Sequence, residues 1–231
     1  FGESAAVLLG DLALVWSDQM LNTSAIPTPS LLAAHRIHDE MRVELMAGQY
    51  LDVREAGENT YSAERSLRIA RYKSGKYTIE RPLHIGAVIG KPEAHAPLLD
   101  ALSRYGLPLG EAFQLRDDLL GIFGDPEVTG KPAGDDLREG KRTVLIAMTL
   151  EALNESDKSE LLKHLGQPDI SPAKVEELRA LITASGAVTQ VENLIEKLTN
   201  ESLAAIEDPS IHPSSREFLT YIALSAVKRS A

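Results

Sequence analysis

Residues Glu111–Thr143 read EAFQLRDDLLGIFGDPEVTGKPAGDDLREGKRT. The first third is apolar with the spacing of a helix: Ala112, Phe113, Leu115, Leu119, Leu120, Ile122 and Phe123 occupy most of its faces. Three polar side chains interrupt it, Gln114, Asp117 and Asp118. At about 100° per residue, with Gln114 at the origin, Asp118 falls near about +40° and Asp117 near about −60°, so the three share one arc. The segment then breaks into a loop rich in Gly, Pro, Asp and Lys, and it ends where a second apolar helix begins near Arg142. A solvated face would account for an isolated pair of aspartates. Here the apolar surroundings argue for burial, and adjacent carboxylates are costly to bury unless something cationic neutralises them.

A hard divalent cation such as Mg²⁺ suits that pair, because it takes oxygen ligands and is held by one or two carboxylates plus phosphate oxygens. Lys131 in the loop and Lys141 just beyond it supply positive charge downstream. A lysine-bearing loop beside a carboxylate helix reads as a phosphate lid, although a charged surface loop without function would share its composition. Two look-alikes of a nucleotide-binding P-loop fail. GDPEVTGK and GDDLREGK each place five residues between their glycines, and neither follows a strand-like run.

FQLRDD followed by GKPAGDDLREGKRT resembles the second aspartate-rich region of the trans-isoprenyl diphosphate synthases, the polyprenyl synthetase family. The family pattern places a further Asp three residues after the pair, where this chain has Gly121. On the helix, position 121 lies near about −20°, between the two carboxylates. GQYLD at 48–52 resembles the family's G-Q-x-x-D, and Lys73-Ser74 resembles its Lys-Thr element, with a serine keeping the hydroxyl. Gly10-Asp11 and YGLPLGEAFQ at 105–114 also match in order. The resemblance runs from Phe1 to about Leu150; beyond that, the chain resembles the family only in being helical.

That resemblance implies an all-α, single-domain bundle of about ten or more helices around a central apolar cavity, the isoprenoid synthase type I fold. It implies Mg²⁺-dependent condensation of an allylic diphosphate with isopentenyl diphosphate, giving a longer trans-prenyl diphosphate of farnesyl or geranylgeranyl length. Asp117 and Asp118 would hold Mg²⁺, with Asp117 the principal ligand. Lys73, Lys131 and Lys141 would hold the allylic diphosphate, and Ser74, Gln114 and Gln49 would turn oxygen dipoles toward the carbocation. The acid missing at Gly121 is expected to be tolerated, since only Asp117 need touch metal. The family's first aspartate-rich region would lie upstream of Phe1, where the natural N-terminus is expected. Two other readings compete: a non-catalytic subunit of a heteromeric prenyl synthase, and a class I terpene cyclase, whose N-D-x-x-S-x-x-x-E motif is not found here.

The totals narrow the classes. Lys plus Arg is 24 against 34 Asp plus Glu, a net charge of −10, which argues against nucleic acid as partner. With no cysteine there is neither a disulfide framework nor a thiolate metal site, which fits a cytoplasmic protein. No apolar run reaches the roughly 20 residues of a membrane span, and no signal peptide is seen.

The other elements follow from periodicity and caps. Phe1–Asn22 is apolar on most sides, which predicts a central place in the core, with Asp11 a buried acid satisfied by a neighbouring helix. Ser30 is the expected N-cap of a helix to about Ala56, with His35 and His38 as solvated surface histidines, Gln49 and Asp52 on one face, and Gly48 admitting a neighbouring backbone. Helices are predicted over 63–73, 78–89 and 93–123, the last kinked around Pro108. Further helices are predicted over 142–153, 171–184, 188–206 and 214–229, forming a structural half that supports a homodimer.

Overall fold

The computed structural model describes residues 1–56, 60–94, 96–129 and 134–228. Among them the chain is all-α, with no strand. In order come α1 (Gly2–Asn22), α2 (Thr28–Ala56), α3 (Ala63–Ala70), a π-helical segment (Arg71–Glu80) and α4 (Arg81–Gly90). Then follow α5 (Ala96–Phe123), α6 (Pro126–Thr129), α7 (Asp135–Glu139), α8 (Val144–Ala152), α9 (Glu155–His164), α10 (Pro172–Ala184), α11 (Ala187–Ala205) and α12 (Pro213–Val227).

The core is built on α5. Ala101, Tyr105, Leu109, Ala112, Leu115, Leu119 and Ile122 recur three and four residues apart and are buried. Val191, Ile195 and Leu198 of α11 pack along this stripe, and residues of α8, α10 and α12 complete the cluster. Tyr105 is fully buried and donates its hydroxyl proton to the Leu219 carbonyl at 2.7 Å, which ties α12 to α5. Burial also raises the Tyr105 phenol above its ordinary range. Thr143 caps α8 and Ser171 caps α10, each side chain accepting a backbone N–H of the first turn.

Three helices meet on the other flank of α5: α2, the π-helical segment and α4. Glycines set the distances. A Cβ on Gly48 would stand 2.5 Å from the Lys73 nitrogen, and one on Gly106 would stand 2.9 Å from the Glu80 Cα. Gly75 and Gly110 face each other so closely that a Cβ on Gly110 would overlap the Gly75 backbone. Buried charges fix the same contact. Glu44 of α2 accepts from Lys76 at 2.6 Å and from Arg81 at 2.7 and 2.8 Å. Burial works against the Glu44 carboxylate, but those donors hold it below its ordinary range.

Several local expectations are corrected. Helix α1 is not central: none of its residues is buried, and its Asp11 is exposed. Its all-round apolarity calls for neighbours on every side, whereas in this structure it packs against α2, through Ser17–His38 at 3.1 Å and Asp18–Arg42 at 2.9 Å, and stays exposed elsewhere. His38 is accordingly buried rather than solvated. Helix α2 starts at Thr28 with Pro29 in its first turn, so Ser30 is no cap; its hydroxyl donates to the Ile89 carbonyl at 3.0 Å. The chain does not break after Lys73 but runs on as the π-helical segment. Helix α5, by contrast, is the one continuous element expected there, with Pro108 inside it. Within the region read as a loop, α7 forms, and α9 occupies a stretch given no element, capped by the Asn154 side chain.

Candidate active site

The π-helical segment carries Lys73 and Ser74 past α5 at the level of Gln114, Asp117 and Asp118. The Gly48 and Gly110 contacts make that approach possible, because a side chain at either position would hold the helices apart. Wide π turns are uncommon and concentrate at functional sites. Here the turn places two chemically useful residues at the wall of a cavity of about 220 Å³. The lining comprises Asp52, Ser66, Ile69, Ala70, Lys73, Ser74, Gln114, Asp117, Asp118, Lys141, Arg142 and Thr143. Of the residues expected from sequence, Lys73, Ser74, Gln114, Asp117, Asp118 and Lys141 therefore converge. Gln49 does not: it is exposed on α2 and is absent from the lining. Lys131 lies outside the described residues.

The charges are arranged in two layers. Asp118 is buried and accepts a hydrogen bond from the Gln114 amide nitrogen at 2.9 Å. Burial pushes its carboxyl up to about 7, the Gln114 bond acts against that rise, and Asp136 and Asp117 add to it. Asp136, on α7, is also buried and is ion-paired with Lys141. Burial raises the Asp136 carboxyl, more than the Lys141 ammonium offsets. Burial lowers Lys141, but Asp136 and Glu139 overcome that and leave it above its ordinary range. On the far wall, Lys73 Nζ donates to Asp52 at 2.6 Å.

A third cation, Arg142, lines the cleft beside Lys73 and Lys141. Its guanidinium stacks 4.7 Å from the centre of the Tyr61 ring and donates to the Thr60 carbonyl at 3.3 Å. Its carbonyl accepts from the Ser66 hydroxyl at 2.9 Å, and Thr143 caps α8 immediately behind it. The sequence reading assigned no role to Asp52, Arg142 or Asp136. Asp52 was visible as the last residue of GQYLD and Arg142 as the middle of KRT, whereas Asp136 was hidden inside a segment read as loop.

The residues present fit a Mg²⁺ ion. The donors are the carboxylate oxygens of Asp117 and Asp118, which line one cleft, with Asp118 buried. Among the described residues, no three or more His, Cys, Asp or Glu side chains form a complete cage. That suits a cation which takes the remainder of its shell from phosphate and water. Together these features define a class: an all-helical site with two carboxylates on one wall and ammonium groups opposite and beside them, shaped for a polyanion.

Comparison with known proteins agrees with that class. The polyprenyl synthetase family model matches residues 1–182, and the chain belongs to that family. A short chain isoprenyl diphosphate synthase of Methanocaldococcus jannaschii is 32% identical over 189 residues, covering 80% of this chain and 55% of the relative. The structure superposes on that of a geranylgeranyl pyrophosphate synthase from Corynebacterium glutamicum complexed with isoprenyl diphosphate and magnesium. The TM-score is 0.92 at 40% identity, over 98% of this chain and 63% of the other. A polyprenyl synthase from Caulobacter crescentus, complexed with calcium and isoprenyl diphosphate, gives 0.79 at 26% identity, over 99% and 67%. The chain thus spans about half to two thirds of the length of these proteins. Among the described residues no helix is long and apolar enough to cross a membrane.

Proposed function

We propose that this chain belongs to a Mg²⁺-dependent trans-prenyltransferase, which joins an allylic diphosphate to isopentenyl diphosphate and releases inorganic diphosphate. The product class is farnesyl or geranylgeranyl diphosphate, the names carried by similar proteins. The observation that carries this reading is the convergence of Lys73 and Lys141 on the cleft that Asp117 and Asp118 enter.

Diphosphate leaves only when its negative charge is met. Lys73 and Lys141 meet part of it directly, as fixed ammonium donors in a partly buried setting where their charge is weakly screened. Arg142 is positioned beside them as a further donor. Asp117 and Asp118 would hold Mg²⁺, which, when bound, supplies the rest of the neutralising charge. As the allylic C–O bond breaks, its electron pair departs with the diphosphate. The isopentenyl double bond then forms the new C–C bond, and a proton is lost to the diphosphate. Ser74 and the Gln114 carbonyl oxygen offer dipoles to the transient cation; the Gln114 nitrogen is engaged by Asp118. Lys131 is assigned to the same diphosphate; Gln49, exposed and outside the cavity lining, is given no part in it. A homodimer and a cytoplasmic location accompany this reading, the first supported by the uncovered apolar side chains of α1.

The test is condensation by the natural full-length protein, with labelled isopentenyl diphosphate, each allylic primer in turn, and Mg²⁺ or a chelator. A Mg²⁺-dependent prenyl diphosphate is expected, and Asp117→Ala should abolish it. Normal turnover by Asp117→Ala would refute the metal role. No product from any primer by folded protein would overturn the activity in favour of a non-catalytic subunit.

A further inference from the structure

Gly121 stands where the family pattern has its last aspartate, and the structure gives that glycine an occupant. A Cβ on Gly121 would overlap the Asp136 carboxylate, so the space over this glycine is filled by a side chain from another helix. Asp136 is buried, and its partner is Lys141. The helix that carries it is firmly seated. Left-handed glycines bound α7 at both ends, Gly134 at φ +71° and Gly140 at φ +70°. Leu137 is fully buried, and its carbonyl accepts from Gly166 N at 2.8 Å. The Lys141 nitrogen in turn donates to the Asp136 carbonyl at 3.0 Å. A side chain at 121 would therefore displace the Asp136 carboxylate rather than the helix behind it.

The geometry points to Gly121 as a socket for Asp136, and to Asp136 as a positioning residue that sets where the Lys141 ammonium stands in the cleft. The chain places an acid beside this wall from α7 and keeps position 121 bare to admit it. Restoring the family's aspartate at 121 alone would then harm the site rather than improve it. The inference rests on the reading of Lys141 as a diphosphate ligand.

The experiment measures binding of inorganic pyrophosphate with Mg²⁺ to the full-length protein by calorimetry, beside thermal melts that establish folding. Gly121→Ala, Gly121→Asp and Asp136→Asn should each weaken binding by about tenfold, the loss expected when a charged partner is displaced. Lys141→Ala should do the same, and adding Gly121→Ala to it should change binding less than about twofold, because the two act through one group. The double variant Gly121→Asp, Asp136→Gly returns a carboxylate to the socket from the other side and should recover most of the affinity. Unchanged binding by Lys141→Ala would remove the lysine reading and the inference with it. Weakened binding by Lys141→Ala with unchanged binding by folded Gly121→Ala would leave the lysine reading standing and overturn the socket. So would additive effects of the two, or a double variant no better than Gly121→Asp.

Discussion

Substituting Gly48 by alanine tests how tightly the site depends on one crossing of helices. The added Cβ would lie 2.5 Å from the Lys73 nitrogen, 2.6 Å from the Tyr72 carbonyl carbon and 2.9 Å from the Lys73 Cα, all of them backbone atoms. Backbone cannot rotate out of the way, so α2 and the π-helical segment must separate. Ordinary contact begins at 3.4 Å, so the shortest of these requires about 0.9 Å of movement. Overpacking of this kind costs about 1–3 kcal/mol, against which alanine recovers about 0.5–1 kcal/mol of helix propensity. A net loss of about 1–2 kcal/mol lowers the melting temperature of a chain this size by about 2–8 °C. The larger effect falls on chemistry. The moved residue is Lys73 itself, and a misplacement of about 1 Å in a catalytic constellation can cost about 100-fold. The control is Gly86→Ala in α4, where a Cβ would meet nothing within 4 Å. That change should leave activity alone and raise the melting temperature slightly. Circular-dichroism melts and the condensation assay together decide the matter. If Gly48→Ala melted within a degree of the parent and turned over within threefold of it, the steric reasoning would be refuted.

Two further substitutions separate charge from packing. The Asp118 carboxyl has its folded pKa raised to about 7, above the ordinary 3.8, so its contribution to stability is fully present below about pH 4 and is lost as pH rises through 7. In chelator-treated protein, Asp118→Asn should therefore stabilise more at pH 8 than at pH 5, by about 2–3 kcal/mol, read as the difference between paired melts; an equal effect at both pH values would contradict it. Tyr105→Phe removes the 2.7 Å bond to Leu219 inside the core and should cost about 1 kcal/mol in a denaturant titration while leaving turnover unchanged, and a fall in turnover at equal stability would argue against a purely structural tyrosine.

What could be read from the chain divides by physical range. The stripe on α5 was legible because helical periodicity and the FQLRDD motif describe one element, and one element fixes its own faces. The start of the helix at Ser171 was legible for the same reason, since a cap depends on neighbours a few residues away. Lys73 and Ser74 were found through motif order, but the π-helical turn that presents them was not. Nothing in RYKSGKYTIE distinguishes a wide helix from a turn; its stability comes from Gly48, Gly110 and the Glu44 ion pairs, all distant in sequence. Asp136 was missed because its role depends on an absence elsewhere, the missing Cβ of Gly121. Asp11 and His38 were misjudged together: local apolarity records that a helix seeks cover, while the burial of a particular residue depends on which neighbour arrives. Gln49 illustrates the converse, since its motif is intact and yet it is exposed and does not line the cleft.

The uncovered face of α1 bears on how this polypeptide behaves as a colloid. Val7, Leu8, Leu9, Val15, Trp16 and Met20 each expose more than half their surface, on a helix with a single charged pair, Glu3 and Asp11, before Asp18. Contiguous apolar surface of this kind is adhesive and undirected. The overall charge of −10 opposes close approach of whole molecules, but it acts over only about 8 Å at physiological salt. Raising the ionic strength strips away the repulsion and leaves the adhesion, so for these 231 residues taken by themselves added salt favours clustering while also weakening the exposed ion pairs. Concentration and salt thus enter any light-scattering or spectroscopic study of the polypeptide as physical variables in their own right, on the same footing as temperature.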